Sequence, residues 1–170
     1  MGHSYLSSKA ETRVSEISGK GTYAVSNIAK NEMIAIFGGK VIDNDTWQKF
    51  EDKLGVLALP LDENFVIGPY SDEESGDGDY INHSCNPNSG IRGMRKLIAV
   101  KNITAGDEIV WDYSASDDSG WYHKCSCGAK NCRKIITPWR DLPASTKRKY
   151  TKLGIVSSWI TKRDRSPNKH

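Results

Sequence analysis

Tyr80-Ile81-Asn82-His83-Ser84-Cys85-Asn86-Pro87-Asn88 is the stretch that decides the fold. It holds three carboxamides, an imidazole, a hydroxyl and a thiol within nine residues. Asn86-Pro87 favours a turn, because proline restricts the residue before it to extended backbone. A plain surface connection has no need of so many hydrogen-bonding side chains. Fixed donors and acceptors at this density suit a polar ligand.

Two segments on either side share that character. Downstream, Gly106-Asp107-Glu108-Ile109-Val110-Trp111-Asp112-Tyr113 reads as a turn feeding a strand that ends in an aromatic-acid-aromatic triplet. Alternate strand residues share a face, so Trp111 and Tyr113 fall on one side. Alone, this segment is simply an edge strand. Upstream, Gly19-Lys20-Gly21-Thr22-Tyr23-Ala24 sets two glycines around one residue just ahead of a strand. That pattern permits a tight turn and close backbone approach to a ligand. By itself it is only a turn, and it lacks the following helix of a dinucleotide-binding loop.

The four cysteines are Cys85, Cys125, Cys127 and Cys132. The last three form a C-x-C-x4-C array that can fill three corners of a zinc tetrahedron, with Zn–S bonds of ~2.3 Å. Cys85 is the one cysteine left to supply the fourth ligand. Free or redox-active thiols are the alternative, and His123 is a further candidate ligand. The first twelve residues, Met1 to Thr12, lack a signal peptide's apolar segment, and in such a chain clustered cysteines favour metal over disulfides.

The chain has 170 residues, 37% hydrophobic and 26% charged, which suits one folded domain with short extensions. No run of about 18 apolar residues occurs, so no transmembrane helix is expected and the protein is read as soluble and intracellular. A net charge of +3 is too small to argue for nucleic acid as a direct ligand. The charge is uneven, however. Residues Ser71 to Asp79 form an acidic run, and Lys147-Arg148-Lys149 with Lys162, Arg163 and Arg165 make the C-terminal end basic. Solvated surface explains both runs; a contact for a basic peptide is the sharper reading of the acidic one.

Short strands separated by Gly, Asn and Asp dominate the first two thirds: Thr12 to Ile17, Thr22 to Ser26, Met33 to Phe37, Lys40 to Ile42, Asn64 to Gly68, Arg95 to Val100 and Glu108 to Asp112. A short helix is expected over Thr46 to Leu54, with Asp45 or Thr46 near its cap, and a second over Pro143 to Leu153, stopped by Gly154. Ile155 to Thr161 extends the helical part by a turn or two. Arg163 to His170 is expected to fray. The fold class is therefore mostly β, with a Cys-rich segment and a helical C-terminal extension.

Taken together, these segments resemble the SET-domain protein methyltransferases. The family's N-H-S-C-x-P-N signature stands as Asn82 to Asn88. Its G-E-E-hydrophobic-x-x-D-Y segment stands as Gly106 to Tyr113, with Asp107 for the first Glu. Its G-x-G-hydrophobic-aromatic-A opening stands as Gly19 to Ala24, with Thr22 at the hydrophobic position, and its post-SET C-x-C-x4-C as Cys125 to Cys132. The resemblance implies a SET domain over 12-115, a post-SET zinc-binding segment over 121-136 and a C-terminal helical extension over 137-170. It implies several small β-sheets with a C-terminal pseudoknot, in which Asn82-His83 and Gly106 to Tyr113 lie side by side.

Function follows from the same likeness: methyl transfer from S-adenosylmethionine to a lysine of a histone or another basic protein, with one structural zinc on Cys85, Cys125, Cys127 and Cys132. Lys20, Gly21, Thr22, Tyr23, Tyr80, Asn82, His83 and Tyr113 become the cofactor-binding set. Tyr113, Phe37 and Trp111 become the catalytic set. The zinc segment pins a loop over the cofactor, with Cys127 to Gly128 or Trp121 against adenine. Trp111 holds the place that sets the number of methyl groups, and an aromatic without a phenol leans towards di- or trimethylation. Three departures point towards a catalytically inactive binding module instead. Phe37-Gly38-Gly39-Lys40 replaces Tyr-x-Gly-Glu, so Phe37 lacks a hydroxyl and Lys40 reverses a charge. Asp79 stands where the family has a basic residue.

Overall fold

The computed structural model describes residues 3–49 and 57–165. Its strands are β1 (Tyr5–Leu6), β2 (Ala10–Val14), β3 (Lys20–Ala24), β4 (Met33–Ile36), β5 (Lys40–Asp43), β6 (Leu59–Pro60), β7 (Phe65–Gly68), β8 (Ser89–Arg92), β9 (Lys96–Ala99), β10 (Glu108–Ile109), β11 (His123–Lys124) and β12 (Ile135–Ile136). They form four small antiparallel sheets, ordered β1-β4-β9-β8, β10-β3-β2, β5-β7-β6 and β11-β12. The helices are α1 (Asn44–Gln48), α2 (Ala144–Leu153) and α3 (Ser158–Arg165). This is the mostly β class that the sequence indicates. No helix among the described residues is long and apolar enough to cross a membrane.

The main core lies where β4 and β9 are covered on both sides. Ile34, Ala35, Leu97 and Ala99 are fully buried, and Ile28, Ile91, Ile103 and Ile109 close around them. A second core forms between β9 and the helix pair, from Ile98, Ala115, Trp139, Leu142, Tyr150, Ile155, Trp159 and Ile160. Gly90 in β8 makes this junction possible. A Cβ there would meet Ile155 Cβ at 2.6 Å, so only glycine lets the α2–α3 connection lie this close to the sheet. Gly154 ends α2 in the left-handed region at φ 66°, where glycine carries no Cβ penalty.

Several boundaries differ from the sequence expectation, each for a local reason. β2 starts at Ala10 and stops at Val14, because the Ser15 hydroxyl accepts from the Ile17 amide and turns the chain. Helix α1 is capped two residues before Asp45 and three before Thr46: Asp43 accepts from the Thr46 amide at 2.9 Å. The second half of the expected Thr46 to Leu54 helix lies outside the described residues. Arg163 to Arg165 belong to α3, and the remainder of the expected frayed end also lies outside them.

The largest difference is at Glu108 to Asp112. Only Glu108 and Ile109 pair as a strand, against Tyr23 and Thr22. From Val110 the chain leaves that sheet and runs beside the 82–89 loop. Trp111 donates its amide to the Asn82 carbonyl at 3.1 Å, and its carbonyl accepts from Ser84 at 2.9 Å, a parallel bridge between His83 and Trp111. The two polar segments thus lie side by side, as the resemblance implies.

Candidate functional site

Backbone pairing alone does not fix the junction of the two segments. The Asn88 side chain staples them from both of its ends, donating to the Glu108 carbonyl at 2.7 Å and accepting from the Val110 amide at 2.9 Å. Ser89 adds a hydroxyl to the Val110 carbonyl. Tyr113 is held at two points by the same loop: its hydroxyl donates to the Ile81 carbonyl at 3.0 Å, and its amide donates to His83 Nδ1 at 3.3 Å.

Burial pushes the His83 imidazole down to about 4, against the pull of Asp112, so the ring is neutral at physiological pH. Because Nδ1 accepts, the ring proton sits on Nε2, which donates towards Cys85 Sγ at 3.4 Å. Burial also raises the Tyr113 phenol well above its ordinary value, with the Glu108 carboxylate acting in the same direction. Tyr113 is therefore a neutral phenol whose proton is engaged by Ile81.

On one side of this junction Glu108 gathers neutral donors. Its Oε1 accepts from Ser15 at 2.8 Å and Asn82 at 2.9 Å, and its Oε2 from Tyr23 at 3.1 Å. Asn82 Nδ2 lies within hydrogen-bond distance of Ser15 Oγ, the Ser18 and Lys20 carbonyls and Glu108 Oε1. Four acceptors for two protons leave this carboxamide with partners to spare. A Cβ on Gly21 would fall 2.8 Å from Asn82 Nδ2, so the close approach expected of the Gly-x-Gly turn is made by the protein's own side chains. Lys20 Nζ sits 4.6 Å from the Tyr80 ring centre at the exposed edge. Thr22 is different: it is fully buried and donates to the Tyr80 carbonyl, so its hydroxyl fastens β3 to the loop.

On the other side runs an aromatic line. Phe37 packs on Trp111 with centroids 5.9 Å apart, and Trp111 on Tyr113 at 5.0 Å. Trp111 and Tyr113 line a cleft of about 520 Å³, walled by Trp47 of α1, Trp121, the carboxylates of Asp62, Glu63, Asp117 and Asp118, and the guanidinium groups of Arg140 and Arg163. Phe37 lies behind Trp111 and does not line the cleft. The Trp111 indole nitrogen is buried and has no hydrogen-bond partner among the described residues.

The four cysteines come together. Their Sγ atoms all lie within 4.8 Å of one another, with Cys85 to Cys125 at 3.8 Å and Cys125 to Cys132 at 3.6 Å. A tetrahedron of ~2.3 Å Zn–S bonds has edges of about 3.8 Å, so this donor set fits a single ion. Backbone amides of Arg133 and Lys134 point at Cys85 and Cys132 sulfurs, each at 3.4 Å. Burial raises the Cys85 thiol to about 11, and it raises Cys125 too. Cys127 falls to about 6: burial opposes this, but backbone amides and neighbouring thiols favour its thiolate. His123 stacks on Trp121, 5.1 Å between centroids, and is not among these ligands.

Two of the three departures have structural partners. Lys40 bridges to Glu74 at 2.5 Å and lies over the Tyr70 ring, so its charge is answered within the acidic run. Asp79 is buried, accepts from the Gly76 amide at 2.9 Å and bonds to the Ser4 hydroxyl, fastening the N-terminal strand. Ser71 to Asp79 does not line the cleft. The carboxylates in the cleft wall come from elsewhere.

Sequence reading gave no role to Asp112, Arg133 or Tyr150. Asp112 is buried, receives a bidentate pair from Arg133 at 2.7 and 2.9 Å, and accepts from the Tyr150 hydroxyl at 2.8 Å. Asp112 alone carried a signal, as the acid inside the aromatic triplet.

The family model described as the SET domain matches residues 19–114. The chain is 36% identical over 133 residues to the histone-lysine N-methyltransferase trr of Drosophila melanogaster, covering 71% of this chain and 5% of that protein. It is 30% identical to histone-lysine N-methyltransferase 2B of Homo sapiens, over 72% of this chain and 5% of that one. A histone-lysine N-methyltransferase of Candida albicans, named as H3 lysine-36 specific, is 30% identical over 76% of this chain and 17% of its own length. The chain thus spans a small part of the curated relatives it matches.

Proposed function

This chain belongs to the SET-domain family, and from that premise we propose that it transfers methyl groups from S-adenosylmethionine to the side-chain nitrogen of a lysine in a basic, intracellular protein, a histone being the first candidate. The observation that carries the reading is the meeting of the Asn82 loop with the strand end bearing Tyr113, next to a cleft lined by Trp111, Tyr113 and Trp121.

The backbone of Lys20 to Tyr23, the Asn82 carboxamide and the backbone of His83 would hold the donor, with Tyr80 at the rim. When bound, the donor supplies an electrophilic methyl on a cationic sulfur. Everything else falls to the chain's own residues. A lysine with pKa of ~10.4 arrives protonated and must lose its proton to bulk solvent before its nitrogen has a lone pair to attack the methyl. Burial between Trp111, Tyr113 and Trp121 disfavours the ammonium. Because the Tyr113 proton is engaged by Ile81, its oxygen lone pairs remain to accept an amine N–H and orient the nitrogen. Alignment of this kind supplies much of the rate of a displacement. The exposed carboxylates of Asp62 and Glu63 at the cleft attract a basic peptide, whereas Asp118 is already paired with Arg163.

Cys85, Cys125, Cys127 and Cys132 fit one structural zinc, which would pin the 121-136 segment beside Tyr113. The relatives bearing histone names support the substrate class.

Phe37, which offers no hydroxyl, is the feature that favours an inactive binding module. Calorimetry with the donor and its demethylated product, run beside tritium transfer from labelled donor to histones, separates the two. Saturable binding with transfer supports the enzyme. Saturable binding without transfer to any basic protein removes it in favour of the module, and no binding at all removes both.

A further inference from the structure

The segment that follows Tyr113 is held almost wholly by the C-terminal extension. Asp112 accepts from Tyr150 of α2 at 2.8 Å. The Ala115 carbonyl accepts from the Ser157 amide at 2.8 Å, and the Ser116 carbonyl from the Trp159 indole at 3.0 Å. The Asp117 carbonyl accepts from the Trp139 amide at 2.7 Å. Asp118 takes the Arg140 amide at 2.7 Å and the Arg163 guanidinium at 2.6 Å. Five positions between 112 and 118 are thus bonded to residues beyond 137.

Asp112 is the point at which this clamp reaches the site. One carboxylate oxygen caps the turn Tyr113–Ala115 through the Ser114 amide at 3.2 Å and lies 3.5 Å from His83 Nδ1, the atom that receives the Tyr113 amide. The other oxygen is shared by Arg133 and Tyr150. Tyr150 is 1% exposed, so its hydroxyl meets Asp112 away from bulk solvent. Without that hydroxyl, Asp112 keeps the Arg133 pair and the Ser114 amide but loses its bond to α2, and the turn carrying Tyr113 gains freedom to move against the helix pair.

We infer that the C-terminal helix pair is a working part of the site: Tyr150 is a positioning residue that acts through Asp112 on the backbone of Tyr113. The role assigned to Tyr113 rests on the methyl-transfer reading; the clamp itself does not.

The test compares Tyr150→Phe with Ile160→Val, which trims the same apolar cluster without touching Asp112. For Tyr150→Phe, kcat falls about tenfold, while the KM for a lysine peptide and the Kd for the donor stay within about twofold, as a loss of alignment requires. Ile160→Val lowers Tm and leaves kcat unchanged. Wild-type kcat in Tyr150→Phe overturns the inference, and so does an equal loss of kcat in Ile160→Val. Amide hydrogen exchange provides a readout independent of turnover: Tyr150→Phe speeds exchange over residues 113 to 118 but not in β4 or β9. Should the wild-type chain transfer no methyl, the functional reading fails and exchange alone decides the clamp. Faster exchange confined to 113 to 118 sustains it, and unchanged exchange removes it.

Discussion

Glu108 and Asp112 sit on the same stretch of chain, both carboxylates, and their surroundings are opposite. Glu108 is half-buried and collects neutral groups: two hydroxyls and a carboxamide, of which Ser15 and Asn82 have other partners in reach. Asp112 is 2% exposed, and its partners are a bidentate guanidinium, a buried phenol and a capped turn. Neutral hydrogen bonds at a rim can be exchanged for those of a ligand at small cost. A buried ion pair with every lone pair used cannot be rearranged without leaving a charge stranded. One carboxylate thus belongs to a surface built to exchange partners, the other to the frame that keeps Tyr113 between them in place.

The contrast can be broken at several points. The largest effect is expected on the frame side, where Arg133 joins Asp112 to the thiols, its side chain on the carboxylate and its amide on Cys85. Cys125→Ser should abolish metal binding and, because metal binding energy is folding energy, unfold the 121-136 segment. Elemental analysis is expected to find one zinc per wild-type chain and none in the variant; equal metal content would contradict the four-thiolate site.

Asp112→Asn comes next. It keeps the shape but leaves the Arg133 guanidinium unanswered in a largely buried place, a loss of about 3–5 kcal/mol. Urea unfolding measures this, and a loss under about 1 kcal/mol would place Asp112 among ordinary surface pairs.

Glu108→Gln should cost less, about 1.5–3 kcal/mol spread between stability and donor affinity, since it weakens hydrogen bonds to a charged acceptor without stranding a cation. Calorimetry of donor binding beside the unfolding curve apportions it. A loss as large as that of Asp112→Asn would erase the distinction between the two hubs.

The smallest effect concerns pH. Burial pushes the phenols of Tyr113 and Tyr150 above the ordinary value, so both stay protonated in the folded chain. Groups raised in this way give a contribution that is intact below the unfolded value and lost as pH climbs past it. Stability should therefore hold through neutral pH and decline above about pH 10. Phenolate absorbance checks this: of the seven tyrosines, these two ionise only with unfolding. Seven titrating together in native protein would contradict it.

Much of this site could be read from sequence because its parts are local. The Asn82 to Asn88 run and the C-x-C-x4-C array each place several chemically distinctive side chains within a few residues, and both come together in space. The frame is not local. Arg133 and Tyr150 lie far along the chain from Asp112, in segments whose patterns show only a cysteine loop and a basic helix. β8 was invisible as a strand because Ser89, Gly90 and Arg92 have little strand preference; the fold uses Gly90 to admit Ile155. Lys40 and Asp79 looked like defects because their answering groups, Glu74 and Ser4, are brought to them only by the fold. Phe37 remains a catalytic candidate on the family resemblance alone; its ring packs on Trp111.

The most direct test is tandem mass spectrometry of core histones incubated with zinc-loaded protein and S-adenosylmethionine, wild type beside Tyr113→Phe. Methyl groups on lysine side-chain nitrogens are expected with the wild type, and about a hundredfold fewer per unit time with the variant, whose donor affinity is unchanged. Unmodified lysines with a folded, donor-binding wild type, or equal methylation by both proteins, would contradict the account.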